Sequence, residues 1–146
     1  MKVKPIPEGY HTITPYFAVR DAAGLIDFLK RAFAVDVLEQ MAMPDGTVMH
    51  AQLRIGDSMV MIGQLPKEGE HKLMPAMLYM YVEDADAVFN KAVQAGGKVI
   101  MAPVDQFYGD RSGAVEDPAG NQWWISTHKE DMSSEELRRR ASQRKG

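Results

Sequence analysis

The chain has 146 residues, of which 45% are apolar and 25% charged, the composition of a folded globular protein rather than a disordered one. It contains no cysteine, which excludes disulfides, thiolate zinc sites, iron–sulfur clusters and cysteine nucleophiles. With 17 basic and 20 acidic residues there is no electrostatic footprint for nucleic acid, and no apolar run approaches the about 20 residues that a membrane helix needs.

The first residues, MKVKPIPEGY, lack the apolar core of a signal peptide, and a cytoplasmic location is expected. Pro5, Pro7 and Gly9 mark an extended lead-in. Residues 12–20 are rich in β-formers and alternate, which predicts a strand. Asp21 stands where a helix cap belongs, and Leu25, Ile26, Leu29, Ala32 and Phe33 recur at helical spacing. Residues 35–43 return to a strand pattern, and Pro44-Asp45-Gly46 reads as a hairpin turn. Over 47–55, Met49, Ala51, Leu53 and Ile55 share one face, with Val48, His50, Gln52 and Arg54 on the other. A turn at Gly56-Asp57 leads into a short apolar strand over 58–63.

Residues 64–75 read as a charged linker, after which the series restarts. A strand is expected at 76–82, and a helix at 85–95 capped by Asp84 and stopped by Gly96-Gly97. A strand over 98–102, a loop over 103–110, a strand over 111–116, a turn at Asp117–Gly120 and a last strand over 121–127 complete it. A shift of 63 positions superposes Tyr16 on Tyr79, Val19 on Val82, Asp21-Ala22 on Asp84-Ala85, Ala51 on Ala114 and Ile62 on Ile125. Agreement between these identities and the element order points to a duplicated βαβββ module. Beyond it, Ser133 and Glu136 form an S-x-x-E capping box ahead of a helix at about 134–141. The basic end beyond reads either as an electrostatic tail or as a solvated helix terminus.

Four segments carry a family resemblance: TPYFAVRDAAGLIDFLKRAF, the DG turn leading into HAQLRIGDSMVMI, YVEDADAVFNKAVQAGG, and FYGDRSGAVEDPAGNQWWIST. In them the chain resembles the vicinal oxygen chelate superfamily, which includes glyoxalase I, bleomycin-resistance and extradiol-dioxygenase proteins. Within it, the chain looks most like glyoxalase-like proteins with an FYGDR loop. The resemblance implies an α+β fold in which residues 1–146 form one domain. Modules 12–63 and 76–127 would make curled mixed sheets, half-barrels around a ligand cup with the helices outside, followed by a helical tail over 128–146. It also implies that Ile13, Phe17 and Val19 meet the helix. Thr14, Tyr16, Ala18, Met59, Met61, Met77, Tyr79, Tyr81, Gln122 and Trp124 would face the cup, with Trp123 beneath the helix.

Metalloenzymes of that superfamily hold their ion with His, Gln and Glu. The matching positions here are Thr14, Met61, Met77 and Trp124, none of which suits a hard divalent cation. His11, His50, His71 and His128 are scattered, without metal-ligand spacing. Neither a metal nor any other cofactor is expected.

Three candidate groups remain. His50, with Gln52 and Arg54 beside it, reads as a hydrogen-bonding strip with His50 as acid or base, or as a histidine bonded to a neighbouring strand; Arg54 is also suited to pair with Glu39. The loop carrying Phe107, Tyr108, Asp110 and Arg111 reads either as a cover over the cup, with Arg111 as an acid–base group, or as a brace for the hairpin. The tyrosines, Trp124 and the methionines suit a mostly apolar planar ligand, or simply fill the barrel. The leading expectation is a homodimeric binder of a small organic molecule. A metal-independent lyase or isomerase is the alternative, and a subunit with a vestigial cup the third.

Overall fold

The computed structural model describes residues 3–66 and 72–144. The elements run β1 (Tyr16–Val19), α1 (Ala22–Ala32), β2 (Val35–Ala42), β3 (Val48–Ile55), β4 (Ser58–Gln64), β5 (Met77–Tyr81), α2 (Ala85–Gln94), β6 (Lys98–Asp105), β7 (Asp110–Glu116), β8 (Gln122–His128) and α3 (Ser134–Ser142). They form two four-stranded sheets, ordered β1-β4-β3-β2 and β5-β8-β7-β6. In each, the first strand runs parallel to the fourth and the other pairings are antiparallel. Neither sheet closes into a barrel, since β1 and β2 remain edges of one and β5 and β6 of the other.

The duplication extends to the atoms that start each helix. Asp21 accepts the Gly24 N–H at 3.0 Å and Asp84 the Ala87 N–H at 3.1 Å, satisfying donors that a helix N-terminus leaves unpaired. Gln64, the last residue of β4, accepts the Ala22 N–H through Oε1, and Thr127, its equivalent near the end of β8, accepts the Ala85 N–H through Oγ1. Each helix is thereby tied to the fourth strand of its own sheet. Gly46 holds φ at 89° in the hairpin between β2 and β3, a conformation only glycine adopts freely.

One face of each sheet is buried beneath its helix. Phe17, Leu25, Leu29, Leu53, Ile62, Phe89, Val115, Trp123 and Ile125 belong to one continuous core. Trp123 links the modules: its ring centroid lies 5.6 Å from Phe17 and 5.0 Å from Phe33. Its indole N–H donates to the buried Asp117 carboxylate at 2.8 Å. Asp117 also accepts the N–H groups of Ala119 and Asn121, so the turn expected from sequence also fixes the central tryptophan.

Three expectations require revision. The first strand begins at Tyr16, because Pro15 lacks an N–H and interrupts the donor pattern; Ile13 lies ahead of it and is exposed rather than packed on the helix. β6 runs through Pro103 to Asp105 where a loop was expected. It is an edge strand with register shifts, and an edge tolerates a missing donor. At the C-terminus, Ser133 accepts the Glu136 N–H at 3.1 Å, but the Glu136 carboxylate turns to Arg139 and Arg140. α3 is therefore built by a cap and ion pairs rather than a reciprocal box. Much of the linker, with His71, lies outside the described residues.

Replacing Trp123 with Ala is expected to lower unfolding free energy by about 3–5 kcal/mol, as for other large core truncations. Trp124→Ala, at a half-buried position, is expected to cost clearly less. Urea titrations giving equal losses would contradict the assignment of the two tryptophans to opposite faces.

Candidate functional site

Strand alternation sends the neighbours of each core residue to the face away from the helices. In the first sheet this open face carries Tyr16, His50, Gln52, Arg54 and Met61. The Tyr16 ring lies over Gly63, where any Cβ would collide with it, and its centroid is 5.9 Å from that of His50. Gln52 accepts a hydrogen bond from the Tyr10 hydroxyl, which brings the N-terminal lead-in to this face. Arg54 pairs with Asp36 at 2.8 Å instead of Glu39. The register explains this, since Asp36 lies directly opposite Arg54, whereas Glu39 faces Gln52. Met59 is buried outside the helix-side core.

The second sheet holds the more highly organised group. Tyr79 and Tyr81, two apart on β5, lie edge to face with centroids 5.4 Å apart. Both hydroxyls donate to Oδ2 of Asp110, at 2.7 Å and 2.9 Å. Asp110 starts β7 and is only 4% exposed. Its Oδ1 accepts from Nδ1 of His128 at 2.9 Å, and Nε2 of His128 meets Asp131 at 2.8 Å. Ser112 and Tyr108 hydrogen-bond the Tyr79 hydroxyl, and Ser126 bonds Ser112. Met77 is exposed, and the Trp124 indole reaches Gln122 Oε1 at 3.3 Å.

The environment sets each protonation state. Burial would raise the Asp110 carboxyl, but hydrogen bonds from His128, Tyr79 and Tyr81 outweigh it and hold the group below the usual carboxylate range. Burial pushes the Tyr79 phenol up, and for Tyr81 the bond to Asp110 does so. His128 is raised, first by its bond to Asp110 and then by Asp131. A neutral imidazole has one N–H and one lone pair, so only the imidazolium donates to both carboxylates.

The FYGD loop is gripped from the C-terminal side. The Gly109 carbonyl accepts the N–H groups of Lys129 and Glu130 at 2.8 Å and 3.0 Å. Arg140 pairs with Glu130 and Glu136 and donates to the Phe107 carbonyl, while the Arg144 guanidinium sits 4.4 Å from the Phe107 ring centre. Of the basic residues at this end, Arg140 and Arg144 are thus seated on the loop.

His50 and Arg111 do not converge. Arg111 shares the helix-side face of β7 with Val115, and its guanidinium makes two bonds to Asp86 of α2, at 2.8 Å and 3.0 Å, and one to Asp105 at 3.2 Å. Arg111 thus ties β7 to α2 and β6 and faces away from Asp110, so the two do not form a joint brace of the hairpin. Among the described residues no hydrogen bond or ring contact joins the open-face groups of the two sheets. Sequence reasoning identified Tyr79, Tyr81 and Tyr108 but missed Asp110, Ser112, Ser126, His128 and Asp131 as a group. Alternation held the signal: two further steps beyond Gln122 and Trp124 reach Ser126 and His128, and Asp110 and Ser112 face the same way on the adjoining strand.

At the positions matching the metal ligands of related enzymes, Thr14, Met61, Met77 and Trp124 offer a hydroxyl, two thioethers and an indole. This donor set does not fit a hard divalent cation.

The model of the Glyoxalase/Bleomycin resistance protein/Dioxygenase superfamily matches residues 10–125. The protein Rv0887c of Mycobacterium tuberculosis, itself uncharacterized, is 35% identical over 134 residues, spanning 86% of this chain and 79% of its own. Among solved structures, TioX from Micromonospora sp. ML1 superposes with a TM-score of 0.70 at 24% identity, over 81% of this chain and 98% of that one. A glyoxalase/bleomycin resistance protein/dioxygenase family enzyme from Burkholderia phytofirmans gives 0.63 at 20% identity, over 77% and 94%. At these identities the two structures speak for the fold.

A histidine raised by its partners stabilises the fold fully below its unfolded pKa of about 6.5, and this contribution disappears as pH rises through the higher folded value. The melting-temperature gap between the wild type and His128→Gln is therefore expected to be widest below about pH 6 and to narrow on the alkaline side. A gap independent of pH would show that the two carboxylates do not hold a charged imidazole.

Proposed function

Since the chain belongs to the glyoxalase/bleomycin resistance protein/dioxygenase superfamily, we propose that it is a binding protein that holds a small, mostly apolar or aromatic organic molecule against the open faces of its sheets, without a metal. The observation that carries this reading is the second sheet's aromatic face. Met77, Tyr79 and Tyr81 are left exposed there, at 62%, 41% and 63%, above a buried polar layer in which, among the described residues, no buried side-chain nitrogen or oxygen lacks a hydrogen-bond partner. Large apolar side chains on such a firm base mark a binding surface.

The phenols and the Asp110 carboxylate of the same layer are poorly set for acid–base turnover. A general acid or base works best with a pKa near the operating pH. Here both phenols are pushed up and Asp110 is pushed down, so these groups keep their protons or their charge at neutrality. Under this reading His50 and Trp124 line the cup rather than carry out a reaction.

A homodimer completes the proposal. In the single chain the open faces stand in water, and β1, β2, β5 and β6 each have an unpaired edge, which favours pairing with another chain. A module of a second copy laid over each face would turn two open surfaces into enclosed cups. No helix among the described residues is long and apolar enough to cross a membrane, and a cytoplasmic ligand fits this reading.

Two measurements test it. Sedimentation equilibrium at micromolar concentration is expected to show twice the 16.3 kDa chain mass; a monomer alone would refute the enclosed cup. Fluorescence titration with aromatic ligands is expected to show weaker binding in Trp124→Ala and a modest loss in His50→Gln, about 0.5–1.5 kcal/mol for one hydrogen bond. Unchanged affinity in Trp124→Ala would remove that residue from the site.

A further inference from the structure

We propose that the Tyr79–Tyr81 face of the second sheet is a site for an organic cation, an ammonium or amidinium head carried on an apolar or aromatic body. The inference deepens the binding reading above and rests on it.

The direction of the protons decides what this face offers a ligand. An ionised carboxylate only accepts hydrogen bonds, and a phenol has one proton to give. Tyr79 and Tyr81 both give theirs to Asp110 Oδ2. The contacts of Tyr79 with Ser112 at 3.0 Å and Tyr108 at 3.3 Å must then be donations to Tyr79. Ser112 has spent its proton, so the 2.9 Å bond to Ser126 is a donation from Ser126. The chain runs one way, from Ser126 through Ser112 and Tyr79 into Asp110.

Tyr81 ends a second, shorter branch. Among the described residues its hydroxyl bonds only to Asp110, so the lone pairs of its oxygen are uncommitted on a largely exposed residue. A phenol donating to a carboxylate is polarised and becomes a better acceptor. Tyr79 and Tyr81 lie edge to face and the His128 ring packs against Tyr81 with centroids 6.3 Å apart, and the ring faces left open are electron-rich and attract cations. The exposed part of the cluster therefore offers acceptors and π-faces.

The charges agree. A shallow hollow beside Tyr81 is lined by Val82, Glu83, Thr127 and His128. Glu83 is its carboxylate and His128 its one cation among these residues, and behind His128 stand the carboxylates of Asp110 and Asp131. Both N–H groups of His128 are spent on Asp110 and Asp131. Nearby on the loop, Arg140 is occupied by Glu130, Glu136 and the Phe107 carbonyl, and Arg144 by the Phe107 ring. Among these lining residues an anionic ligand would meet the Glu83 carboxylate and no uncommitted side-chain donor, since the Thr127 hydroxyl donates to the Val82 carbonyl, whereas a cation would meet the Tyr81 oxygen, the open ring faces and the nearby carboxylates.

The test compares benzylammonium, benzyl alcohol and benzoate, which share a ring and differ in charge, by amide chemical-shift titration of the full chain. Benzylammonium is expected to bind about fivefold or more tightly than the alcohol, with shifts centred on β5 and His128, and benzoate most weakly. In Asp110→Asn the preference is expected to fall to about one. Tyr81→Phe, which keeps the ring and the fold but removes the acceptor, is expected to bring it within about twofold. Equal binding of the three probes, a preference for benzoate, shifts confined to the first sheet, or an undiminished preference in Tyr81→Phe would overturn the cation assignment and leave the binding reading intact. No binding of any probe would overturn the binding reading itself, and this inference with it.

Discussion

The Asp117–Trp123 hydrogen bond sets the geometry of much of the molecule. A carboxylate buried at a turn is costly unless its oxygens are satisfied, and here two backbone N–H groups, the Asn121 amide and the indole N–H satisfy them. The bond fixes Trp123 against Phe17 and Phe33, where the core of the first module meets that of the second. With Trp123 fixed inward, alternation along β8 turns Trp124, Ser126 and His128 to the open face. The same alternation on β7 places Asp110 and Ser112 opposite them. One structural bond thus helps to fix which side chains the open face presents.

Most of the fold was legible in the sequence because its signals are local. The Asp21 and Asp84 caps, the Pro-Asp-Gly turn, the helical spacing of Leu25, Ile26 and Leu29, and the 63-residue repeat each act within a few residues or by simple duplication. The open-face identity of Tyr79, Tyr81 and Trp124 followed from period-two alternation under the family resemblance. What remained hidden depends on register between strands. Asp110 sits beside Arg111 in sequence, which suggested one shared role. In the sheet they face opposite ways, Asp110 to the tyrosines and Arg111 to Asp86. Arg54 took Asp36 over Glu39 for the same reason, since the register sets Asp36 directly opposite Arg54 and Glu39 opposite Gln52. The span of β6 across Pro103 was likewise unreadable without knowing that the strand is an edge.

The two modules have kept their frame and diverged on their open faces. Helix caps and strand-end acceptors recur at equivalent positions, although Gln64 and Thr127 perform the task with different side chains. On the open side the equivalent tyrosines differ. Tyr16 lies over Gly63 and beside His50, whereas Tyr79 is embedded in a hydroxyl network with Ser126 at the position matching Gly63. The duplicated scaffold therefore carries one sparsely bonded surface and one aromatic surface with a polar backing.

The grip of the C-terminal segment on the FYGD loop has a thermodynamic consequence. Loops beside ligand sites are often mobile, and ordering them on association costs entropy. Here the Gly109 carbonyl is held by two N–H groups and the Phe107 carbonyl by Arg140, so Tyr108 is set next to Tyr79 before any ligand arrives. For a ligand bound as proposed, that ordering cost falls on folding instead of on association. A rigid loop also admits fewer shapes, so selectivity among similar molecules would come from mismatch with a fixed wall rather than from the energy of closing one.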